Sequence, residues 1–557
     1  MKNLFNTRNY VLLLIITFAL LLRLAGLNWG LQNNELNVPR YSNHIDEINE
    51  ISGCTDIDYA QKANGGTLMT YLWKGNAFML KQLGLLHIST YPLTAYDEGY
   101  ADFTFYGRLL IVLFDLISLL LVYFIVKKIT RSILSSLISA LIFAIIPFEI
   151  LQSNYMTPHV ASNTFLLLTI YLSLFICGNK KFFLFAIIGI VAGLSAAIKY
   201  TFLINIIIPL LFFYYERFST IQEKKFAPII SIIFNKNVFI MLFFLIVGLF
   251  IGNPNLFLNF NSFRDAIIYQ NGWSQHISNS SYLIKIIRIR EYFTWIIPAG
   301  VSFLWLLFYP ACIYSLFLKK YLKYVIPLAI YAIIYIIPMI LFYPFEAIRV
   351  ALPLFPIFTI ITGIAISQIL RQFSNNKTIL YPFIGFLGFV LIFVSIFSFS
   401  VVKSLGNKKK DTFVQVFDYF NDNLQNKQSK IAILAPNFTY KKNFTNLFKA
   451  LTDKNITIYY SDYYEQNHSE STFSDVNYNK IKNDSVDYVI LCEYYCQFNE
   501  KVKRQIDSLT KNNAFILEKK FINDINFNYF YYEYIKYWPG DFAYPFPVFY
   551  LLKSNRK

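Results

Sequence analysis

Charge is scarce in this sequence. Asp, Glu, Lys and Arg make up 15% of the 557 residues, against 56% hydrophobic and 19% aromatic residues. Soluble domains carry about 25% charged residues, so this composition excludes an ordinary soluble chain. Cysteine is also sparse. Cys54, Cys177, Cys312, Cys492 and Cys496 form no metal-ligand array, and the strand-like setting of Cys492 and Cys496 argues against a disulfide between them. The first apolar run follows Lys2 and Arg8 but lacks a small-residue cleavage site, which predicts an uncleaved first span. The formal charge of +17 does not point to nucleic acid, because most basic residues flank apolar runs, where membrane orientation accounts for them.

What the sequence has in abundance is apolar runs of spanning length. They fall at about 10–27, 108–126, 133–146, 160–177, 182–198, 201–215, 238–252, 293–318, 324–342, 350–370 and 380–402. The expected fold class is an α-helical polytopic membrane protein with about 11 transmembrane helices, followed by a C-terminal extracytoplasmic α/β domain. The membrane domain is expected over 1–403, with long loops at 28–107 and 253–292, and the tail domain over 411–557. Every second connection is short and basic: Lys127–Arg131, Lys180–Lys181, Arg217–Lys225, Lys319–Lys323 and Arg371–Lys377. These are assigned to the cytoplasm with the N-terminus. The long loops then fall outside, together with Asp46, Glu47, Glu149, His159, Lys199, Glu346 and Arg349, so ionisable groups gather at one face. Arg23, near the end of the first span, either snorkels or faces protein. In the first loop, Gly66–Leu86 is too short and too polar to span and reads as an interfacial helix.

The tail alternates strand-like runs (430–434, 456–460, 486–491 and 514–517) with helical stretches. That predicts a doubly wound sheet, and the lack of a G-x-G-x-x-G string predicts no dinucleotide. The aromatic-rich end, 527–550, is expected to pack on the membrane domain or touch a glycan.

Several short motifs lie in order along residues 1–400. His44-Ile45-Asp46-Glu47 follows the first span and Arg108-Leu109-Leu110 opens the second. Gly193-Leu194-Ser195-Ala196-Ala197-Ile198-Lys199-Tyr200 closes the fifth, Asn253-Pro254 leaves the seventh, and Arg349-Val350-Ala351-Leu352-Pro353-Leu354-Phe355-Pro356 opens the tenth. In order and spacing they resemble the integral-membrane glycosyltransferases of the GT-C superfamily, in the branch similar to bacterial protein O-mannosyltransferases and the aminoarabinose transferase of lipid A. The chain departs from the family pattern at three places. His159 stands where an acidic residue usually opens the fourth span, Val350 replaces the Tyr of an Arg-Tyr pair, and Asn64-Gly65-Gly66-Thr67 replaces a Pro-rich stretch.

The resemblance implies a sugar donor on a polyprenyl phosphate and a hydroxyl acceptor on a lipid, glycan or protein, with membrane lipids as surroundings and no nucleic acid. Attack at the anomeric carbon needs a base on the acceptor side. Asp46 is the candidate base; Glu47 orients it or binds acceptor or metal. Lys199, Arg349, Arg108 and Tyr200 are candidates for the donor phosphate, because negative charge develops on the leaving group. His159, Glu149 and Asp97 are candidates for acceptor or metal. Asp97-Glu98 is the rival acidic pair for the base. The resemblance establishes no cofactor; a divalent cation is the one candidate, and Asp56-Ile57-Asp58 is a weak D-x-D string for it. Trp73, Trp273 and Trp295 read as belt residues. Bland readings stand beside these: loop acids are usually solvated, Lys199 and Arg349 at helix ends can snorkel, and His159 can be an ordinary helix-end histidine. The expected activity is a glycosyltransferase at the outer face of a bacterial inner membrane, in the cell envelope. The alternatives are a transporter or flippase, which needs ionisable groups at mid-bilayer, and an inactive lipid-glycan-binding relative.

Overall fold

The structure, a computed structural model, describes residues 7–31, 45–64, 66–88, 91, 99–176, 182–220, 235–268, 282–342, 348–406, 411–423, 429–434, 456–460, 486–492, 507, 510, 515–521 and 549–555. The chain divides into two compact units. The first comprises 1–27, 49–91 and 106–399, and the second 28–48, 92–105 and 400–557.

The helices in chain order are α1 (Thr7–Leu24), α2 (Ile45–Thr55), α3 (Ile57–Asn64), α4 (Leu68–Gln82), α5 (Tyr100–Thr130), α6 (Ile133–Ala144), α7 (Pro147–Ser153), α8 (His159–Ser173), α9 (Phe182–Ile198), α10 (Ile207–Thr220), α11 (Lys236–Gly252), α12 (Asn255–Leu258), α13 (Tyr282–Glu291), α14 (Ile297–Val301), α15 (Trp305–Ser315), α16 (Leu322–Phe342), α17 (Leu354–Gln372), α18 (Lys377–Gly406) and α19 (Thr412–Asn423). Among the described residues, five helical stretches are long and apolar enough to cross a membrane: Tyr100–Thr130, Lys285–Ser315, Lys319–Leu341, Leu354–Gln372 and Lys377–Gly406. The pair α6 and α7 makes a sixth if the two count as one bent span, and four shorter apolar helices accompany them. The chain is therefore a multi-pass helical membrane protein.

One expected polar turn is not a turn. Residues 147–153 form α7, bent 61° from α6, and every residue of α7 is buried. Pro147 explains the break, since it cannot donate into the preceding turn. The backbone groups freed at such a break need partners where no water reaches. Arg23 donates from Nη1 to the Ala144 carbonyl at 3.0 Å and to the Ala19 carbonyl at 3.1 Å. Ser398 Oγ donates to the Ile145 carbonyl at 2.7 Å. The Arg23 Nε also pairs with Asp115, and both side chains are fully buried. This corrects the expectation that ionisable groups gather at one face, because Asp115 lies inside the second span.

The α9–α11 contact is the closest helix pairing in the first unit. A Cβ on Gly189 would collide with the Met241 carbonyl oxygen, one on Gly193 with the Leu245 carbonyl oxygen, and one on Gly248 with the Ile190 carbonyl oxygen. Small residues on both helices let the backbones touch, which replaces the hydrophobic driving force absent between helices in lipid. At the ends of this pair sits the first loop. Gly66 lies against the carbonyls of Ala197 and Ile198, and Thr67 Oγ1 donates to the Gly252 carbonyl at 3.2 Å and to Asn253 Oδ1 at 3.0 Å. The Asn-Gly-Gly-Thr departure therefore has a steric reason: residue 66 has no room for a side chain. Helix α4 then buries Met69, Trp73, Ala77 and Leu80 while Phe78, Met79 and Leu83 stay exposed, so it presents a second apolar face outward.

In the second unit, strands β1 (Ser429–Leu434), β2 (Ile456–Tyr460), β3 (Tyr488–Cys492), β4 (Phe515–Phe521) and β5 (Phe549–Ser554) form one sheet of order β2-β1-β3-β5-β4. β1 pairs in parallel with β2 and β3, whereas β5 runs antiparallel to both β3 and β4. The order β2-β1-β3 with parallel pairing fits the strand–helix alternation, and the sheet is mixed because β5 alone among the described strands runs against the others. The aromatic C-terminal composition conceals the apolar run of β5. Helix α19 packs Phe413 on Phe549 and Phe420 on Tyr488, with ring centroids 5.0 and 5.6 Å apart. The helical stretch expected near 500–509 and most of the aromatic run 527–550 lie outside the described residues.

Two outcomes follow for stability. Gly193→Val forces the α9 and α11 backbones apart and is expected to cost about 1–3 kcal/mol, as overpacking does; thermal unfolding in detergent measures it. Asp115→Ala strands a buried guanidinium and is expected to cost about 3–5 kcal/mol, with part of that loss recovered in the Arg23→Leu, Asp115→Leu double variant.

Candidate functional site

Three interruptions in apolar helices build a cleft in the first unit. Helix α9 stops at Ile198, and Lys199 is extended (φ −152°, ψ 124°) before a 3-10 turn over Tyr200–Ile206. A second 3-10 turn, Ile348–Val350, carries Arg349 and leads through Leu352 and Pro353 into α17. Pro158 opens α8, and His159 is its first residue. Tyr335 and Met339 come from α16, four residues apart and so on one helical face. His159, Lys199, Phe202, Tyr335, Met339, Arg349, Val350, Leu352 and Pro353 line a small cleft that is partly open to solvent.

The lining has a simple electrostatic character. Three of its described residues are basic and none carries a carboxylate. The N-terminus of α8 adds the partial positive charge of a helix start. The same lining includes Phe202 and Tyr335, whose rings lie 6.0 Å apart, and Met339. Such a cleft suits a ligand that is anionic at one end and apolar at the other.

Buried amides hold the cleft's walls. Asn205, within the 3-10 turn, donates to Ser195 Oγ of α9 at 2.8 Å and accepts from the Tyr331 hydroxyl of α16 at 2.6 Å. Tyr331 in turn stacks on Tyr335, with centroids 6.1 Å apart and an interplanar angle of 19°. On the other side, Asn163 Nδ2 donates to Glu149 Oε1 at 3.1 Å and to the Leu352 carbonyl at 3.3 Å, which ties α8 to the turn bearing Arg349. Neither asparagine stands out in the sequence. Their only signal is a polar amide inside an apolar run, a place where an amide needs internal partners.

The expected site residues separate into three groups. His159, Lys199 and Arg349 come together in the cleft. Beside two other basic side chains His159 is badly placed to hold a metal cation. Arg108 is not among the lining residues; it is fully buried and donates from Nη1 to the Leu27 carbonyl at 2.6 Å. Tyr200 turns its ring edge toward Phe263, at 6.5 Å. Glu149 is fully buried on α7, against Asn163, and is absent from the lining. Asp46 and Glu47 stand in the first turn of α2, where the helix start favours acidic side chains; Asp46 is half-buried and Glu47 fully buried. Both belong to the second unit and the cleft to the first. Asp97, Glu98, His44, Trp273 and Glu346 lie outside the described residues.

The D-x-D string has structural work of its own. Asp56 Oδ1 accepts from the backbone N–H groups of Asp58 and Tyr59, capping α3. The Asp58 carboxylate accepts from Asn255 and Asn259 amides at 2.9 and 3.0 Å and from the Ser262 hydroxyl at 3.0 Å. It latches the first loop to the second. Among the described residues, no group of three or more His, Cys, Asp or Glu side chains is arranged to hold a metal ion.

The Asn205 bonds generate a testable outcome. Tyr331→Phe, Asn205→Leu and the double variant form a cycle in which the two losses are not additive, with a coupling on the order of 0.5–3 kcal/mol in unfolding free energy. Independent losses would mean that the two side chains do not share the bond.

Comparison with known proteins follows from this geometry. Residues 102–249 match the family model described as dolichyl-phosphate-mannose-protein mannosyltransferase. No curated protein matches the chain. Among solved structures, ArnT from Cupriavidus metallidurans bound to undecaprenyl phosphate matches at 9% identity and TM-score 0.44 over 97% of each chain. The same protein in its apo state matches at 9% identity and TM-score 0.45 over 98% of each chain. The Saccharomyces cerevisiae protein O-mannosyltransferase Pmt1-Pmt2 complex bound to the sugar donor matches at 16% identity and TM-score 0.32, over 47% of this chain and 34% of that one. Over residues 102–249, the stretch that carries Arg108, Glu149, His159, Lys199 and Tyr200, the chain is similar to the GT-C glycosyltransferases of the protein O-mannosyltransferase branch.

Proposed function

We propose that this protein is a membrane glycosyltransferase that moves a sugar from a polyprenyl-phosphate donor to a hydroxyl acceptor on a lipid, glycan or protein, at the outer face of a bacterial inner membrane. The observation that carries the reading is the cleft with three basic side chains, no described carboxylate, and an aromatic wall. A lipid-linked phosphate has the matching character: a compact anion attached to an apolar chain.

In this reading Lys199 and Arg349 receive the phosphate. The bond between the anomeric carbon and the phosphate oxygen breaks, and its electron pair stays on that oxygen. A second negative charge thus develops beside groups already placed to receive it, and such pre-set stabilisation is where enzymes gain most. Arg349 contributes a planar fork of donors and Lys199 a point charge. The acceptor oxygen forms the new bond to the anomeric carbon and gives its proton to a base. Asp46 is that base on its position in the sequence, with Glu47 orienting it or binding the acceptor or a divalent cation. A transporter reading calls for ionisable groups within the spans. The Arg23–Asp115 pair meets that description, yet Arg23 is engaged with Asp115 and with two helix carbonyls, which suits a structural pin better than a moving charge.

The test follows sugar release from a panel of radiolabelled polyprenyl-phosphate sugars in membranes. Asp46→Asn is expected to lower kcat by about 100-fold or more while donor binding persists, the usual size of a lost general base. Arg349→Lys is expected to weaken donor binding and slow turnover together. Equal turnover of Asp46→Asn and wild type would remove Asp46 from the base role, and no turnover with any donor would remove the transferase reading.

A further inference from the structure

The break between α6 and α7 gathers buried polar side chains that lie outside the cleft lining. Arg23 comes from α1, Asp115 from α5, Glu149 and Gln152 from α7, and Asn163 from α8, and all five are fully buried. Arg23 pairs through Nε with Asp115 and donates from Nη1 to the Ala144 carbonyl at 3.0 Å. Glu149 interacts electrostatically with both Asp115 and Arg23, and its Oε1 accepts from Asn163 at 3.1 Å. Helices α5 and α8 are joined where Thr164 Oγ1 donates to the Phe114 carbonyl at 2.9 Å, and Asp115 and Asn163 are the chain neighbours of these two residues. Gln152 follows Glu149 by three positions on α7, which puts both on one face.

Two imbalances mark this set. The first is charge. One guanidinium faces two carboxylates, so with both ionised the set carries one surplus negative charge, buried where an uncompensated charge is expensive. The second is hydrogen bonding. Among the described residues nothing donates to Asp115 Oδ1, Glu149 Oε2, Gln152 Oε1 or Asn163 Oδ1, and the donors left over in the set are Arg23 Nη2 and Gln152 Nε2. Gln152 thus has no partner at either end of its amide, a costly arrangement for a group with no access to water. A proton on Glu149 would correct the charge but bring one donor to four acceptors. A water would bring two donors and leave the charge. A small monovalent cation answers both.

We propose that the α6–α7 break holds a sodium ion, ligated by the unpartnered side-chain oxygens of Asp115, Glu149, Gln152 and Asn163. The ligand set is all oxygen, which suits a hard cation and not a transition metal. With Arg23 already compensating one carboxylate, a single positive charge brings the set to neutrality, and a divalent ion would overshoot. That agrees with the finding that no three acidic or metal-ligating side chains are grouped among the described residues. A broken helix inside a membrane is also where irregular backbone and polar side chains can surround an ion. Asn163 further donates to the Leu352 carbonyl at 3.3 Å, between the turn bearing Arg349 and α17, so the ion braces one wall of the cleft. Neither the donor phosphate nor Asp46 enters, so the sodium site stands whether or not the cleft binds a lipid phosphate.

The test uses the purified full chain in detergent. Thermal unfolding is followed in sodium chloride and in choline chloride at equal ionic strength, and binding of radiolabelled sodium is measured on the same samples. The wild type is expected to bind one sodium ion per chain. It is expected to melt at a higher temperature in sodium than in choline, by a margin that grows with the logarithm of the sodium concentration once the site fills. Glu149→Gln removes the surplus charge. It is expected to lose sodium binding and the sodium-dependent shift, while melting in choline at or above the wild-type temperature. Gln152→Met keeps the charge and most of the volume, and is expected to weaken sodium binding about tenfold, the scale of one lost polar contact to a charge. Equal melting of the wild type in sodium and choline, with no saturable sodium binding, overturns the site. Sodium binding unchanged in Glu149→Gln, or unchanged in Gln152→Met should Glu149→Gln not fold, places the ion elsewhere and overturns it as well.

Discussion

The touching backbones of α9 and α11 are the constraint on which the rest of the first unit depends. Gly189, Gly193 and Gly248 leave no space for side chains between the helices, so the two backbones touch. The exit of α9 delivers Lys199 to the cleft, and the exit of α11 delivers Gly252 and Asn253 to Thr67 of the first loop. The same pairing thus sets the position of a cleft-lining lysine and the anchorage of the loop that follows α3. Asp58 adds a second anchorage through Asn255, Asn259 and Ser262, and the two loops become one covering layer over this part of the unit.

A helix among apolar neighbours can stop only where other groups accept its freed carbonyls and amides. At the α6–α7 break, Arg23 and Ser398 accept that task from three and more helices away. At the α9–α10 break a tighter 3-10 turn keeps local bonding, and Asn205 fastens the turn to both neighbours. The 3-10 turn beside the cleft and the α6–α7 break away from it are both held by side chains from other helices. Function at a helix break carries this structural cost.

The parts legible from sequence were those written in runs. Apolar length located α1, α5, α6, α8 to α11 and α14 to α18, and four of five strands were visible as short apolar runs. The cleft cations were legible as well: His159, Lys199 and Arg349 each stand at the edge of an apolar run, where a charge is conspicuous. What sequence could not convey was pairing across the fold. Asp115 looks like an isolated impurity in a span until Arg23, 92 positions earlier, is found against it. Asn163 and Asn205 have meaning only through Leu352 and Tyr331. Gly66 reads as a loop filler until the carbonyls of Ala197 and Ile198 are seen to occupy its side-chain space. Arg108 and Glu149 also stand at run edges, and the structure shows both buried, with Arg108 on the Leu27 carbonyl and Glu149 on Asn163.

The last strand of the sheet has a bearing on how the second unit is made. β5 lies between β3 and β4, yet it follows both in the chain. Among the described strands, β4 has no other neighbour to pair with until β5 is synthesised, and β3 lacks the partner on that side. The growing polypeptide therefore holds two unpaired strand edges, the kind of surface that recruits other chains. Closure of the sheet is a single late event, in which one six-residue strand, Phe549–Ser554, joins two halves already emerged.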